Sequence, residues 1–478
     1  MGAKNLTRKS FSIINGQYWT APGGVKTVRA KVYAALYPQL IGGSGYFMAI
    51  TSPYISASQG SAWFGCGHSA NLNVGFGNCI GTGGGSSPLL VTSIPTITQI
   101  SANSSGFSHS IALDNGGAAY AFGTNVFGQC GTNNTTGAES VSAVVTGYRF
   151  RQVAAGYQYS LFIDGPGNLY GCGNTVGSGL GSIGSTPVLI ATAQLFSFVA
   201  ANGSSNLAIN ASNGAAYAWG VNTSGALGTG SATTPIASPT LVVGGLAFKY
   251  VTTDGASTPS CYGITTAGDM YAWGNNANGQ LGDGSVTFRS SPVLVSGGLK
   301  WLEVSAAPGS VVGLATDSQA YTWGANTNGQ LAQNDVVPRS TPTLVTGYGK
   351  FVHVSMAGYS ANIASPVAVS GRGTAYFMGP GGSAIYGAGD NSFAQLGTNG
   401  ATTADKSTPT LMSTLPFTTN IVRENFVAEL DITVTPGSTY TVTVVDNNIR
   451  LTDFSSGVIV PVYAGPAKNF KLVLEYDA

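Results

Sequence analysis

Charge is what this sequence lacks most. Of 478 residues, 19 are Lys or Arg and 18 are Asp or Glu, far below the roughly one quarter of an ordinary globular chain. The formal net charge is +1, so nothing draws the chain over a distance to phosphate backbones or anionic lipid. No basic run interleaved with aromatics is present, and nucleic acid is not an expected partner. No apolar run is long enough to cross a bilayer, so membrane insertion is not expected either. Lys4, Arg8 and Lys9 are followed by no apolar signal core, and export by an ordinary cleaved signal is not expected.

Chemistry-bearing clusters are equally scarce. The three histidines, His68, His109 and His353, have no metal-ligand spacing, and there is no Cys-x-x-Cys. No Gly-x-Ser-x-Gly elbow stands between a strand and a helix. Asp114, Asp164, Asp254 and Asp317 stand near turns, where carboxylates accept backbone hydrogen bonds. No catalytic residue, metal or cofactor is expected, and the protein is read as non-enzymatic. Five cysteines are present. Cys66, Cys130 and Cys172 fall at core positions and read as buried thiols. Cys79 and Cys261 read as loop or edge residues whose oxidation state stays open.

Glycine is abundant instead, at 69 residues. Much of it belongs to a recurring string, seen most fully as Tyr271-Ala272-Trp273-Gly274-Asn275-Asn276-Ala277-Asn278-Gly279-Gln280-Leu281-Gly282. From an anchor glycine, Asn follows two places on, Gly five, Leu seven and Gly eight. The anchors are Gly67, Gly123, Gly173, Gly220, Gly274, Gly324 and Gly389. A period of roughly 50 residues reads as a propeller or solenoid. Each unit holds apolar alternation, a turn such as Asp164-Gly165-Pro166-Gly167-Asn168, a short strand into the anchor, then a Gly/Asn loop and Ser-x-Pro-x-Leu-Val. Four short strands fit one such unit, which is one blade. The Trp or Tyr of the string is expected to wedge between blades.

The string resembles the repeat of the regulator of chromosome condensation family. The resemblance covers 36–415 and implies an all-β, seven-bladed β-propeller. Cys66 and Cys172 stand where the family has Trp, and Cys130 where it has Leu. Leu72 replaces a turn glycine, and the second copy has no proline in Val141-Ser142-Ala143-Val144-Val145. The longest interval, Gly324 to Gly389, suggests an insertion at Gly371 to Ser383.

Residues 1–35 and 416–478 carry strand-like alternation without an anchor, as in Val25-Lys26-Thr27-Val28-Arg29 and Thr439-Tyr440-Thr441-Val442-Thr443-Val444. The economical arrangement is one small β-sandwich built from both ends, with the propeller inserted. Short strings at 19–28 and 434–444 resemble the glycine-rich β domains of phage tail-fibre and related virion proteins. With the charge-poor composition, this points to a virion or extracellular surface, and to partners among the subunits of a particle or fibre. The function expected is structural or receptor-binding display towards a cell-surface glycan or protein. A secreted propeller that binds or inhibits a protein is the alternative, and a GTPase exchange factor is the third reading. Self-association stays open. Candidate binding residues are loop aromatics: Phe127, Phe393, Phe76, Phe288, Tyr376 and Phe377.

Overall fold

The structure is a computed structural model. It describes most of residues 97–412 with side chains, apart from stretches such as 103–108, 175–183, 359–372 and 397–403, and elsewhere the backbone pairing of the strands named below. Six consecutive four-stranded antiparallel sheets make up blades I to VI, each a meander of strands a to d in chain order. Blade I is Ile97–Ala102, His109–Asp114, Ala119–Thr124 and Ala138–Ala143. Blade II is Phe150–Ala155, Tyr159–Asp164, Leu169–Gly173 and Val188–Leu189. Blade III is Phe196–Asn202, Ser205–Asn210, Ala216–Gly220 and Ile236–Leu241. Blade IV is Phe248–Thr253, Ser260–Thr265, Met270–Gly274 and Arg289–Leu294. Blade V is Trp301–Ala307, Ser310–Ala315, Ala320–Gly324 and Arg339–Leu344. Blade VI is His353–Gly358, Gly373–Met378, Ile385–Gly389 and Lys406–Leu411.

The a strands of successive blades lie side by side, so they form the inner wall and the d strands the outer one. A further sheet, Gln39–Gly43, Tyr46–Ile50, Trp63–Gly67 and Gly85–Val91, pairs in the same order. Its first strand lies beside the a strands of both blade VI and blade I. Its side chains lie outside the described residues. The fold is thus an all-β propeller, with six blades described to their side chains where seven were expected.

Residue contacts separate Pro38–Thr419 from a second unit, Met1–Tyr37 with Asn420–Ala478. This second unit holds two sheets. One orders Arg8–Ile13, Phe470–Asp477, Thr27–Ala34 and Asn425–Thr433; the other orders Tyr18–Thr20, Thr439–Val445, Asn448–Asp453 and Ile459–Ala464. Each sheet draws strands from both ends of the chain. The side chains that would stack them as a sandwich lie outside the described residues.

Burial explains the local sequence. Strand b is buried at every position in blades II to VI, because neighbouring blades cover both its faces. Such strands are near-continuously apolar rather than alternating. Two residues assigned above to an insertion sit here. Tyr376 and Phe377 are fully buried within strand b of blade VI, which pairs with both a and c. The extra length of this repeat therefore falls in 359–372, between strands a and b. Cys261 is likewise no loop residue: it is a buried free thiol inside strand b of blade IV. Strand d forms the outer edge, and Pro239, Pro292, Pro342 and Pro409 lie within it. Proline offers no N–H there, which blunts the edge against pairing with another chain.

The repeat string joins each blade to the next. Trp273 and Trp323 are fully buried, and each indole N–H crosses to the preceding blade's loop, at Ala226 O (3.0 Å) and Gln280 O (2.8 Å). The glycine eight places past the anchor makes room for that indole: a Cβ on Gly228 would stand 2.8 Å from Trp273 Nε1, and one on Gly282 2.9 Å from Trp323 Nε1. Blade VI has Ala388 in place of the tryptophan, and the preceding loop carries Ala332 in place of the glycine, in one core cluster with it. The glycine five places past the anchor presses on the next outer strand. A Cβ on Gly279 would lie 2.7 Å from Ser340 Cα, and φ there is +75°. Gly279→Ala is therefore expected to cost about 2 kcal/mol or more, from collision and left-handed strain together. Denaturant unfolding measures it; a cost under about 0.5 kcal/mol would show that the interface yields.

Candidate functional site

The surface available for function is the set of loops, and those between strands c and d are the most strongly built. In blades I and III to VI, the asparagine two places past the anchor is buried and acts as the pin; blade II has Thr175 at that position, outside the described residues. Asn276 Oδ1 accepts the Leu281 N–H (2.9 Å), while its Nδ2 donates to Ser285 O (3.1 Å) and Thr287 O (3.0 Å). Asn125, Asn222, Asn326 and Asn391 accept the equivalent N–H of Cys130, Leu227, Leu331 and Leu396. The glutamine six places on folds back as a second pin: Gln129, Gln280 and Gln330 accept the N–H of Phe127, Asn278 and Asn328 at 2.8–2.9 Å. Each buried hydrogen bond contributes about 1 kcal/mol net, so these loops are held in shape before any partner arrives.

Blades IV and V add a clasp. Arg289 binds Asp283 through Nε (3.0 Å) and Nη2 (2.8 Å), and Arg339 Nη2 meets Asp335 at 2.6 Å. Burial pushes the Asp283 carboxyl up, but hydrogen bonds from Ser285 and Arg289 outweigh it and hold it below the usual range. The Val337 N–H, with Arg339, does the same for Asp335. Between the clasped residues, Val286, Phe288, Val336 and Val337 are each more than half exposed.

The inner wall is stitched by side chains. His353 Nδ1 meets Glu303 Oε2 at 2.6 Å across blades V and VI. Phe198 and Tyr250 stack at 5.2 Å across blades III and IV, and Arg151 Nη2 reaches Phe196 O at 2.6 Å across II and III. His109 Nε2 lies 2.7 Å from Ser160 Oγ, whose hydroxyl donates to Gln129 O. With its hydroxyl given to Gln129 O, the Ser160 oxygen can accept an N–H from His109. These pairs hold blades together. Among the described residues no group of three or more His, Cys, Asp or Glu is placed to hold a metal ion, and no helix is long and apolar enough to cross a membrane.

The aspartates singled out above are turn acceptors. Asp114 accepts the N–H of Gly116 and Ala118, Asp164 those of Gly167 and Asn168, and Asp317 that of Gln319. Asp254 differs in depth. It is fully buried in the a–b hairpin of blade IV, accepting Ala256 N–H and Ser260 N–H. Burial pushes its carboxyl up to about 6.

Of the expected binding aromatics, Phe288 is exposed in the blade IV loop and Phe127 is half-buried in the blade I loop. Phe76 and Phe393 lie outside the described residues, and Tyr376 and Phe377 are core. Val286, Val336 and Val337 were missed. Their signal was present: twelve to fourteen places past the anchor, the blade I copy has Thr135, Thr136 and Gly137, whereas blade IV has Val286 and Phe288 on either side of Thr287, and blade V has Val336, Val337 and Pro338.

Comparison with known proteins agrees with this geometry. The family model for the regulator of chromosome condensation (RCC1) repeat matches residues 116–163, 267–314 and 317–361, and a second model of that repeat matches 97–129. A 202-residue stretch is 31% identical to the E3 ubiquitin-protein ligase HERC2 of Homo sapiens, covering 40% of this chain and 4% of that protein. The ultraviolet-B receptor UVR8 of Arabidopsis thaliana is 28% identical over 237 residues, 46% of this chain and 52% of the receptor. The matches thus span about half of that receptor and a small part of the ligase. Among solved structures, yeast RCC1 (Prp20) bound to Kap60 superposes with a TM-score of 0.59 at 16% identity, covering 89% of this chain and 91% of that one. Human WBSCR16 gives 0.57 at 22%, covering 67% and 85%. At these identities the structural likeness speaks for the fold.

The buried Asp254 makes stability depend on pH. Its folded pKa of about 6 lies above the ordinary carboxyl value, so the folded state holds this proton to higher pH than the unfolded chain does. Its contribution is greatest below the unfolded pKa and is lost as pH rises through about 6. Asp254→Asn is expected to flatten the melting-temperature profile between about pH 4 and pH 6. An unchanged slope in thermal scans would mean that another group sets it.

Proposed function

We propose that this chain of RCC1 repeats is a non-enzymatic binding protein, in which the propeller presents preorganised loops to a macromolecular partner. The observation that carries this reading is the double pinning of the c–d loops of blades I, IV and V by buried Asn and Gln. Loops fixed in advance lose little conformational freedom on binding. The comparisons support a binding role: yeast RCC1 (Prp20) is solved bound to Kap60, and the structure of Prp20p from Saccharomyces cerevisiae is described with its binding properties to Gsp1p and histones. Those partners belong to those proteins. Here the charge-poor composition favours an uncharged protein or glycan surface over chromatin.

The finer reading is a mounted wheel. The further sheet of residues 39–91 closes the ring as a seventh blade, and the two terminal sheets stack as a small sandwich that attaches it to a particle or fibre at a virion or extracellular surface. What supports this is the beside-both-neighbours placement of Gln39–Gly43 and the drawing of both terminal sheets from the two chain ends.

Phe127 is the residue at which to test recognition. Phe127→Ala is expected to weaken attachment of the full chain to arrayed cell-surface glycans and proteins by about tenfold, with the melting temperature nearly unchanged. A matching fall in stability would return Phe127 to the core. Acceleration of nucleotide exchange on a co-purifying GTPase would replace the display reading with that of an exchange factor.

A further inference from the structure

The first strands of blades III to VI carry four unlike side chains at equivalent positions: Phe198, Tyr250, Glu303 and His353. Each precedes a buried valine, namely Val199, Val251, Val304 and Val354, and each is itself half-buried. Alternation along the strand sends the valines into the core and these four to the opposite side. Strand a is the innermost of its blade, so what stays exposed on them opens into the space that the ring surrounds. Blades I and II have Gln99 and Gln152 at this position, so the set is particular to III to VI among the described blades.

The four run together as one row. Phe198 and Tyr250 stack with ring centroids 5.2 Å apart. Burial first, then the charge of Glu303, push the Tyr250 phenol up, so the carboxylate lies near that ring. Glu303 Oε2 meets His353 Nδ1 at 2.6 Å and accepts the Val354 N–H at 3.3 Å.

The row is not saturated. Both Glu303 contacts use Oε2, and among the described residues nothing bonds Oε1. With 22% of its side chain exposed, Glu303 is reachable yet mostly withdrawn from water. No Lys or Arg pairs with it among the described residues. The basic side chains of these inner strands, Arg151 and Lys249, turn to backbone carbonyls instead, Phe196 O at 2.6 Å and Trp301 O at 3.5 Å.

A withdrawn carboxylate oxygen without a partner attracts a cation, and the neighbours select which kind. A hard metal ion such as calcium needs roughly six to eight oxygen ligands, which this row does not offer. An alkylammonium is attracted by aromatic faces and by a carboxylate at once, and its methyl or methylene groups suit an apolar flank. We propose that the inner wall of blades III to VI binds an alkylammonium group, with Glu303 Oε1 as its counter-ion and Phe198 and Tyr250 as its apolar side. The same head group is carried by free amines and by methylated lysine side chains of proteins. The site is separate from the c–d loops and stands whether or not they recognise a partner.

Calorimetric titration of the full chain with choline tests this. Saturable binding is expected, and 3,3-dimethylbutan-1-ol, its neutral counterpart of the same shape, should bind at least about tenfold more weakly. Glu303→Gln should weaken choline about tenfold and leave the neutral alcohol unchanged. That substitution keeps an oxygen for His353 and Val354, so melting should stay close to that of the unsubstituted chain. Phe198→Leu should weaken choline by about threefold. A trimethyllysine peptide that displaces choline would give the source as a protein side chain; choline binding that the peptide leaves untouched would give a free amine, and both results support the site. Three results would overturn it: no saturation by choline or by the peptide, equal binding of the neutral alcohol, or unchanged choline binding in folded Glu303→Gln. Should Glu303→Gln fail to fold, the comparison of choline with the alcohol on the unsubstituted chain decides.

Discussion

Everything in the ring depends on contact between each c–d loop and the blade that follows it. A blade of four short strands has two apolar faces and cannot bury them alone. The loop solves this with three parts that act together. Its asparagine fixes the backbone, its glycine five places past the anchor lets the next outer strand approach to contact, and its last residue leaves space for the next blade's wedge. The same contact keeps charge out of the interface, since the hydrogen bonds at the wedge run from an indole to a backbone carbonyl. A chain that is 8% charged can thus hold a large β structure together through amide groups and shape.

Much of the fold was legible because nearly every residue of the repeat string has a backbone task. Asn276, Gly279, Gln280 and Gly282 are each placed by geometry that few other residues satisfy, so the string survives and can be counted. The wedge was legible for the same reason, as was its erosion to Cys172, whose buried thiol points to Gln129 O where Trp273 and Trp323 send an indole N–H. Strand b of blade VI was not legible. Gly371 and Gly373 precede Tyr376 and Phe377, and Gly379, Pro380 and Gly381 follow them. That punctuation is the same as for a loop, while a strand buried on both faces offers no alternation to contradict it. Cys261 was misplaced similarly, by the Thr258-Pro259-Ser260 that enters its strand.

The exposed apolar residues of the blade IV and V loops were only half visible. Phe288 stands out alone because an aromatic in a Gly/Ser loop is conspicuous. Val286, Val336 and Val337 do not, since valine is unremarkable one residue at a time. They stand out only when equivalent loops of successive copies are compared, each loop lying against the outer strand of the next blade. Function in a repeat protein lives in the departures from the repeat, and these are read only by laying one copy over the next.

The pairing of Gly282 with Trp323, and of Ala332 with Ala388, has a bearing on how such chains change over time. The matched partners never sit in one blade; each pair straddles a boundary. The portion that can be duplicated or exchanged without disturbance therefore begins at a wedge and ends just before the following one, out of phase with the sheet. A blade copied whole would bring a loop tailored to a neighbour it had left behind. Accommodating the newcomer would require changes on both sides of the seam, which favours alteration of neighbouring repeats in concert.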